Sequence, residues 1–460
     1  KQLYRMMQWV HFIAIGGAVM HNLAIALKLK GYKVTGSDDE IFEPSRSRLS
    51  MHGLLPLKEG WDPDRITRDL DTVILGMHAT ADNPEMLRAK ELGIKIMSFP
   101  EYIYEQTKNK LRIVVAGSHG KTTTTAMIMH VLKYLEIDFD YMVGSYIDGY
   151  ESMVGLSDSS QIAVLEGDEY LTSALDRRPK FHLYKPGIAI LNGIAWDHMN
   201  VFPTFENYVE QFRIFINCIE EGGTLIYYDG DSEVKKLALE STKKIRKIPY
   251  RIHGHFQNKT GFYGATLDRV IPLKVFGEHN MQNLSAAKEA CISTGITEDE
   301  FYKAVQSFEG TAKRLQKICE NKNGVAYLDF AHSPSKVKAT IEAVSSRYPG
   351  KKIIACLELH TYSSLNIDFL PQYLGTLDKA SSPFVYFNPH ALKLKRLPMV
   401  SLDEVKEAFG NTKLLVFNNS AEMFSFIQKQ NYRDSVFLFM SSGDFDGINL
   451  KTLAEELLKT

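Results

Sequence analysis

The segment that most constrains the fold is Gly117-Ser118-His119-Gly120-Lys121-Thr122, which separates an apolar run at residues 111–116 from a helical stretch at residues 121–135. A glycine-containing loop between a buried strand and a helix directs backbone N–H groups and the positive end of the helix towards an anion. We therefore predict a phosphate-binding loop in which Lys121 reaches the terminal phosphates and the Thr122 hydroxyl binds Mg²⁺. The loop is two residues shorter between its glycines than the usual Walker A pattern, and the alternative is an ordinary turn.

Short apolar runs alternate with helical stretches along the chain, which is typical of parallel sheets covered by helices. The alternation forms three α/β units, with a polar stretch at residues 105–110 after the first and the third beginning near Arg314. The predicted strands are residues 9–15, 33–36, 70–76, 95–98, 111–116, 162–165, 188–191, 325–330, 352–357, 383–387, 414–417 and 436–440. The predicted helices include residues 20–29, 84–92, 121–135, 280–294, 334–346 and 421–430, and residues 246–276 predict an antiparallel insertion.

The charge balance argues against nucleic acid and anionic membranes as partners. Lys plus Arg number 54 and Asp plus Glu 55, so the net charge is near −1 and no global field arises. None of the 4 cysteines lies in a C-x-x-C pair, which disfavours a zinc knuckle or a redox dithiol. Residues 1–10 do not resemble a signal peptide, and no run approaches the length of a membrane span. We expect a cytoplasmic protein with reduced cysteines.

Acidic residues and a histidine follow two of the predicted strands in the second unit. The strand at residues 162–165 leads into Glu166-Gly167-Asp168-Glu169, and Asp197-His198 follows the strand at residues 188–191. Carboxylates at a strand end beside a phosphate loop suit a hard cation such as Mg²⁺, although a solvated acidic turn is the alternative. His198 is a candidate ligand for a second ion, but a lone histidine is more often a hydrogen-bonded loop residue.

Two further segments suggest nucleotide binding. Residues 277–283, Gly-Glu-His-Asn-Met-Gln-Asn, open a helix, and their side-chain amides suit an adenine edge, with helix capping as the alternative. Near the start of the chain, Gly16 and Gly17 end the first strand, and Asp38 lies about 20 residues later, as in a dinucleotide fingerprint. His21 stands at the third glycine position of that fingerprint, so the loop predicts a phosphate contact and not NAD.

The order of these motifs resembles the Mur ligase family over nearly the whole chain. The resemblance rests on the stretches G-S-H-G-K-T-T-T-T, L-E-G-D-E-Y, W-D-H, G-E-H-N-M-Q-N, A-K-R-L-Q and D-F-A-H-S-P. The resemblance implies an α/β protein with a Rossmann-like UDP-sugar domain at residues 1–108, a P-loop ATPase domain at residues 109–312 and a Rossmann-like acceptor domain at residues 313–460. It also implies an ATP-dependent, Mg²⁺-requiring ligase that forms an amide bond through an acyl phosphate.

The same resemblance assigns roles to individual residues. The implied ATP-binding residues are Gly117, Ser118, His119, Gly120, Lys121, Thr122, Thr123, His279, Asn280, Asn283, Arg314 and Asp329. The implied catalytic residues are Lys121, Glu166, His198, Arg314 and His332, and the implied metal ligands are Thr122, Glu166 and His198. The implied UDP-sugar contacts are Gly16, Gly17, Ser37, Asp38 and His78.

Two branches of the family are similar to this chain, and both use UDP-N-acetylmuramate. One adds L-alanine; the other adds L-Ala-γ-D-Glu-meso-diaminopimelate during cell-wall recycling. Residues 34–45, 168–181 and 439–448 resemble the recycling branch, which is the predicted function. A tripeptide needs more cationic contacts than alanine, and the basic residues at 177, 178 and 180 are candidates, with a solvated turn as the alternative.

Some features depart from that prediction or leave other functions open. Residues 357–366, L-E-L-H-T-Y-S-S-L-N, lack the arginine of the E-x-R-S-N-T pattern, which leaves the peptide contacts in question. Residues 198–219 contain no lysine, so the carbamylated lysine of some family members is absent, as the resemblance to these two branches implies. The competing class is a non-catalytic P-loop regulator that binds a UDP-sugar, but Glu166 and His198 are both present.

Overall fold

The structure, a computed structural model, describes residues 7–77, 79–173 and 175–459. His78, which was predicted to contact the UDP-sugar, lies outside the described residues. In the described part of the chain the named strands are grouped in four sheets. Among these residues no helix has both the length and the apolar character needed to cross a membrane.

The strands and helices alternate along most of the chain, as the sequence pattern predicts. The strands are β1 (Trp9–Ile13), β2 (Lys33–Ser37), β3 (Thr72–Leu75), β4 (Lys95–Ser98), β5 (Leu111–Ala116), β6 (Phe139–Met142), β7 (Val154–Gly155), β8 (Ile162–Glu166), β9 (Ile188–Leu191), β10 (Thr224–Tyr228), β11 (Arg246–Tyr250), β12 (His255–Asn258), β13 (Gly261–Ala265), β14 (Val270–Leu273), β15 (Gln316–Asn321), β16 (Gly324–Asp329), β17 (Lys352–Leu359), β18 (Ser382–Phe387), β19 (Leu415–Phe417) and β20 (Ser435–Met440). The helices are α1 (Ala18–Leu29), α2 (Ser45–Met51), α3 (Pro84–Leu92), α4 (Phe99–Thr107), α5 (Lys121–Tyr134), α6 (Phe205–Asn217), α7 (Ser232–Glu240), α8 (Glu278–Ser293), α9 (Glu298–Val305), α10 (Pro334–Arg347), α11 (Pro389–Leu394), α12 (Leu402–Phe409), α13 (Ser420–Gln428) and α14 (Leu450–Leu457).

The first sheet has the order β2-β1-β3-β4, and its strands are parallel. Helix α1 packs against β2 of this sheet and against β7 of the next unit, and it is buried from Met20 to Leu27. The prediction of a polar separator at residues 105–110 is wrong for residues 105–107, which belong to α4. Ser98 and Glu101 form a capping box that starts α4, and the helix buries Tyr102, Ile103 and Thr107.

The second sheet has the order β11-β10-β9-β5-β8-β6-β7, and only its edge strand β7 is antiparallel. Strand β5 lies between β8 and β9 and is buried along nearly its full length, as is typical of a parallel strand covered on both faces. Because parallel strands end at the same edge of a sheet, the loops after β5, β8 and β9 meet there. The phosphate loop follows β5, the acidic motif lies at the end of β8, and Asp197-His198 follow β9.

The predicted insertion at residues 246–276 is correct only in part. Strands β12, β13 and β14 form an antiparallel sheet of their own. Residues 246–250 instead form β11, which pairs in parallel with β10 at the edge of the second sheet. Pro249 lies within β11, and an edge strand tolerates a proline because its outer side has no ladder to complete.

The third main sheet has the order β15-β16-β20-β17-β18-β19, and all its pairings except that of β15 are parallel. The predicted strands of this unit are confirmed within two residues at each end. Strand β15 was not predicted because Gln316–Asn321 is polar and largely exposed, without the apolar pattern of the other strands. The carboxyl ends of β16 and β17 lead into residues that contact the second unit.

Candidate active site

The loop after β5 has the backbone of an anion-binding turn. Gly117 and Gly120 have φ angles of 125° and 74°, a region that residues with a side chain rarely adopt. A Cβ at position 120 would lie 2.1 Å from Asn283 Oδ1, so the loop also depends on glycine for space. The Ser118 N–H donates to Gly193 O at 3.0 Å and ties the loop to the strand end of β9. Gly120 is the N-cap of α5, so the positive end of that helix faces the loop.

Lys121 lies inside this loop and is paired with a buried carboxylate. Its Nζ donates to Gly117 O and to Glu169 Oε2, both at 2.8 Å. Glu169 is 1% exposed and also accepts a hydrogen bond from Tyr208 Oη at 3.1 Å, while His198 Nε2 lies 3.4 Å from its Oε1. The predicted residues Lys121 and His198 are therefore joined through a carboxylate that the sequence analysis did not single out.

The charges in this group reinforce one another. Burial favours the neutral form of Glu169, but Lys121 and His198 outweigh it and hold its pKa below the ordinary value. Burial also favours the neutral form of Lys121, yet Glu169 and Asp168 raise its pKa. Lys121 is thus a cation that is held in place before any phosphate arrives. The one signal for Glu169 in the sequence was its membership of the acidic motif after β8.

The predicted metal ligands fall into two groups. Thr122 Oγ1 donates to Glu166 Oε1 at 3.0 Å, and the Gly144 N–H donates to Glu166 Oε2 at 2.9 Å. His198 belongs to the second group, in which its ligand atom and those of Asp168 and Glu169 all lie within 4.8 Å of one another. Hydroxyl and carboxylate oxygens suit Mg²⁺, so both groups fit a hard cation.

His198 adopts a backbone conformation that its side chain disfavours. Its φ angle is 55°, and its N–H donates to Asp197 Oδ1 at 2.8 Å. Its ring lies edge-on to Tyr170, with the ring centroids 5.3 Å apart. Such strained positions persist where the surroundings determine them, and they cluster at functional sites. The geometry favours a functional role for His198 over that of an ordinary loop histidine.

The residues predicted to bind adenine are not equivalent. Asn280 Nδ2 donates to Phe276 O at 2.9 Å, which ties the start of α8 to the residue before its N-cap Gly277, and α8 has no side-chain N-cap hydrogen bond. Asn283 Oδ1 accepts from Thr124 Oγ1 at 3.2 Å and so braces the start of α5. His279 Nδ1 is buried without a hydrogen-bond partner among the described residues. Of the three, His279 is the side chain with an unsatisfied polar atom to offer a ligand.

His119 and Thr123 complete the loop. Burial lowers the pKa of His119 to about 3, with Lys336 and Lys121 adding to the effect, so its ring is neutral. Thr123 is buried in the first turn of α5. A neutral imidazole and a buried hydroxyl in this position add hydrogen-bonding atoms without adding charge.

Residues from the third unit reach the phosphate loop. Arg314 Nη2 donates to Thr122 Oγ1 at 3.4 Å, and its guanidinium lies 4.6 Å from the centroid of the Phe330 ring. Burial lowers the pKa of His332 to about 3, and its Nδ1 lies 2.8 Å from Phe330 O. The predicted residues Arg314 and His332 are thus on the surface that faces the second unit.

The carboxylate of Asp329, at the end of β16, accepts hydrogen bonds from three nearby donors. It accepts from the Leu315 N–H and the Ala331 N–H, both at 2.7 Å, and from Thr340 Oγ1 at 3.1 Å. These bonds fix the segment that carries Arg314.

The second and third units are in contact beside His198. The Met199 N–H donates to Ser363 Oγ at 3.3 Å, and the Trp196 and Phe369 rings pack edge to face with centroids 6.3 Å apart. This contact places the loop after β17 over the carboxyl edge of the second sheet.

The residues predicted for the UDP-sugar lie together at the carboxyl ends of β1 and β2. The Gly16 N–H donates to Asp38 Oδ2 at 2.7 Å, and burial raises the pKa of Asp38 to about 6. Arg65 Nη1 donates to Ser37 Oγ at 2.7 Å, and Gly17 is the N-cap of α1. Asp38 and Ser37 therefore hold the loop after β1 through hydrogen bonds. The positive end of α1 begins at Gly17 and is the part of this loop suited to an anion.

Comparison with known proteins agrees with this architecture. The family model described as "Mur ligase family, catalytic domain" matches residues 9–110, and the one described as "Mur ligase middle domain" matches residues 115–291. Three α/β units around a phosphate loop with a paired lysine define an ATP-dependent ligase that forms amide bonds. The chain belongs to the Mur ligase family.

Similar proteins include both branches considered above. The UDP-N-acetylmuramate–L-alanine ligase of Carboxydothermus hydrogenoformans is 28% identical over 99% of this chain and 98% of its own. The UDP-N-acetylmuramate–L-alanyl-γ-D-glutamyl-meso-2,6-diaminoheptandioate ligase of Haemophilus influenzae is 27% identical over 98% and 100%. The crystal structure of the UDP-N-acetylmuramate-alanine ligase from Thermotoga maritima is 20% identical with a TM-score of 0.69, over 98% of each chain. That structural likeness establishes the fold.

Proposed function

We propose that this ligase joins the amine of L-Ala-γ-D-Glu-meso-diaminopimelate to the lactyl carboxylate of UDP-N-acetylmuramate, in cytoplasmic cell-wall recycling. Residues 1–108 would hold the UDP-sugar, residues 109–312 ATP, and residues 313–460 the acceptor. The second candidate is the same reaction with L-alanine, which the Carboxydothermus relative supports. The two candidates share every step except recognition of the acceptor.

The chemistry needs a phosphate site, charge neutralisation and exclusion of water. The lactyl carboxylate attacks the γ-phosphorus of ATP, an acyl phosphate forms and ADP leaves. The acceptor amine then attacks the acyl carbon, the C–O bond to phosphate breaks, and the amine loses a proton. Lys121 would stabilise negative charge on the transferring phosphoryl oxygens, since its ammonium is already held within the loop. The contact between Met199 and Ser363 would keep water from the acyl phosphate.

The two oxygen-rich groups would hold Mg²⁺. Thr122 and Glu166 form one, and His198 with Asp168 and Glu169 forms the other. A bound divalent cation would neutralise part of the charge of two anionic substrates. Thr122 Oγ1 and Glu166 Oε1 lie 3.0 Å apart, so one Mg²⁺ ion could contact both oxygen atoms.

Polar side chains lie at the carboxyl ends of β17 and β20, the edge of the third sheet where a peptide acceptor would bind. Residues 439–448, one of the stretches that resemble the recycling branch, lie at the carboxyl end of β20. There Glu358 accepts hydrogen bonds from Ser441 Oγ and from the Phe445 N–H, the latter at 2.9 Å. His360 follows Glu358 on the loop that reaches Met199 through Ser363. The observation that carries the proposal is the resemblance of residues 34–45, 168–181 and 439–448 to the recycling branch, and the Haemophilus relative supports it.

The stretch at residues 357–366, which lacks the expected arginine, contains a histidine that can carry positive charge. His360 stands in the stretch where the arginine was expected, and Glu358, 3.7 Å away, raises its pKa. The earlier candidates are less free: Lys180 Nζ donates to Asp168 Oδ2 at 2.6 Å, and Arg178 pairs with Asp176. His360 and the exposed Arg177 are therefore candidates for a contact to a peptide carboxylate.

The direct experiment supplies UDP-N-acetylmuramate, ATP and one amine at a time, and records ADP and the mass of the product. We expect repeated ADP release, beyond one equivalent per enzyme, that requires both UDP-N-acetylmuramate and the amine, with a product that carries the tripeptide. ADP release without any amine would favour the P-loop regulator. A product formed with L-alanine alone would favour the second candidate.

A further inference from the structure

Lys336, in the first turn of α10, is a charged residue that neither the motifs nor the proposed function uses. It belongs to the third unit, but its Nζ lies 3.6 Å from Oδ2 of Asp197 in the second unit. Its side chain is 18% exposed and that of Asp197 is 9% exposed. The pair therefore spans the cleft between the two units, beside the candidate metal residue His198.

The surroundings of Lys336 are rich in charge. It interacts with Asp197 and Glu169 and is repelled by Lys121 and Arg314, while burial lowers its pKa. It also lowers the pKa values of His119, in the phosphate loop, and His332. Three cationic side chains from two units thus converge on the space in front of the loop.

The ammonium group of Lys336 is poorly satisfied. Among the described residues no hydrogen bond to its Nζ is formed, and 3.6 Å from Asp197 is too long for one. A lysine ammonium has three N–H donors, and leaving them unpaired in a partly buried site is unfavourable. An anionic ligand in front of the loop would satisfy them.

We propose that Lys336 contacts the phosphoryl group during its transfer, from the position beside Asp197 in which the two units hold it. This rests on the proposed ATP site at residues 117–122. As the bond from the carboxylate oxygen to phosphorus forms and the bond to ADP breaks, negative charge collects on the phosphoryl oxygens, and Lys336 stabilises it together with Lys121. Asp197 orients the ammonium without itself touching phosphate.

A purely structural role would give a different pattern. If the ion pair only held the units together, Lys336→Met and Asp197→Asn would have equal effects, and the double variant would be no worse than either. Contact with the phosphoryl group predicts that Lys336→Met is the more harmful change. It also predicts that Lys336→Arg, which keeps the charge but not the geometry, restores only part of the rate.

The test measures steady-state kinetics and the yield of acyl phosphate, trapped by borohydride reduction in a single turnover without acceptor. We expect Lys336→Met to lower kcat and the trapped yield by about 100-fold, the size of effect seen when one stabilising donor is removed. The KM for the acceptor should stay within about threefold of wild type, because the contact is to phosphate. Lys338→Met, an exposed neighbour on α10, is the matched control and should behave as wild type.

Circular dichroism and the thermal midpoint would show that each variant is folded. A folded Lys336→Met with kcat within about threefold of wild type would overturn the inference. So would equal, non-additive losses in Lys336→Met and Asp197→Asn. Wild-type protein that forms no ADP with either acceptor would instead refute the proposed function, and the inference with it.

Discussion

Lys121 Nζ lies 2.8 Å from Glu169 Oε2, and this contact joins the phosphate loop to the acidic motif after β8. The carboxylate is buried and the ammonium is only slightly exposed, so each needs the other to remain charged. A phosphate group entering the loop would compete with Glu169 for the lysine. The pair therefore keeps the lysine oriented between turnovers.

Glu169→Gln should lower the stability of the fold. Removing one partner of a buried pair leaves the other charge uncompensated, at a cost of about 3 kcal/mol. Thermal unfolding at pH 7 would show this as a lower midpoint. Glu210→Gln, which removes an exposed partner of Arg213, is the control and should change the midpoint little.

The effect of Glu169→Gln should also depend on pH. The pKa of Glu169 is lowered in the folded protein from an ordinary value of 4.5, so its contribution is complete above pH 4.5 and is lost as the pH falls towards the folded value. The difference in midpoint between wild type and variant should therefore shrink as the pH drops below 4.5. A difference that grows on acidification would contradict the pairing.

Lys121→Ala should abolish turnover. The lysine acts on charge that develops during phosphoryl transfer, so its loss affects the chemical step. ADP formation is the measurement, and Lys133→Ala at the exposed end of α5 is the control. ADP formation by Lys121→Ala within a few-fold of wild type would show that this loop is not the phosphate site.

Glu166→Gln and His198→Ala should each raise the Mg²⁺ concentration needed for half-maximal activity. Loss of a ligand or of its immediate support weakens metal binding by about tenfold or more. A Mg²⁺ titration of ADP formation would measure this, with the exposed Glu206→Gln as control. If both variants kept the wild-type dependence, neither group would be a metal site.

Local sequence patterns predicted the two elements beside the phosphate loop. The apolar run at residues 111–116 predicted β5, and the helical stretch after the loop predicted α5. Which carboxylate would meet Lys121 could not be predicted, because Glu166, Asp168 and Glu169 all follow the same strand. The choice depends on where the chain turns after β8. Thr122 and Glu166 were predicted together and do lie together.

Other features depend on contacts between distant parts of the chain. Strand β15 is polar because it is an exposed edge, so no apolar pattern marks it. Lys336 lies in the first turn of a helix in the third unit, and nothing near it in the sequence shows that this turn faces Asp197. Strand β15 pairs with its neighbour β16 inside the third unit, whereas the position of Lys336 depends on how the second and third units meet.

The central claim concerns the acceptor, and kcat/KM for two acceptors tests it most directly. The assay holds UDP-N-acetylmuramate, ATP and Mg²⁺ at saturation and varies either L-Ala-γ-D-Glu-meso-diaminopimelate or L-alanine. The resemblance of residues 168–181 and 439–448 to the recycling branch predicts a higher kcat/KM for the tripeptide. A higher kcat/KM for L-alanine would contradict this account.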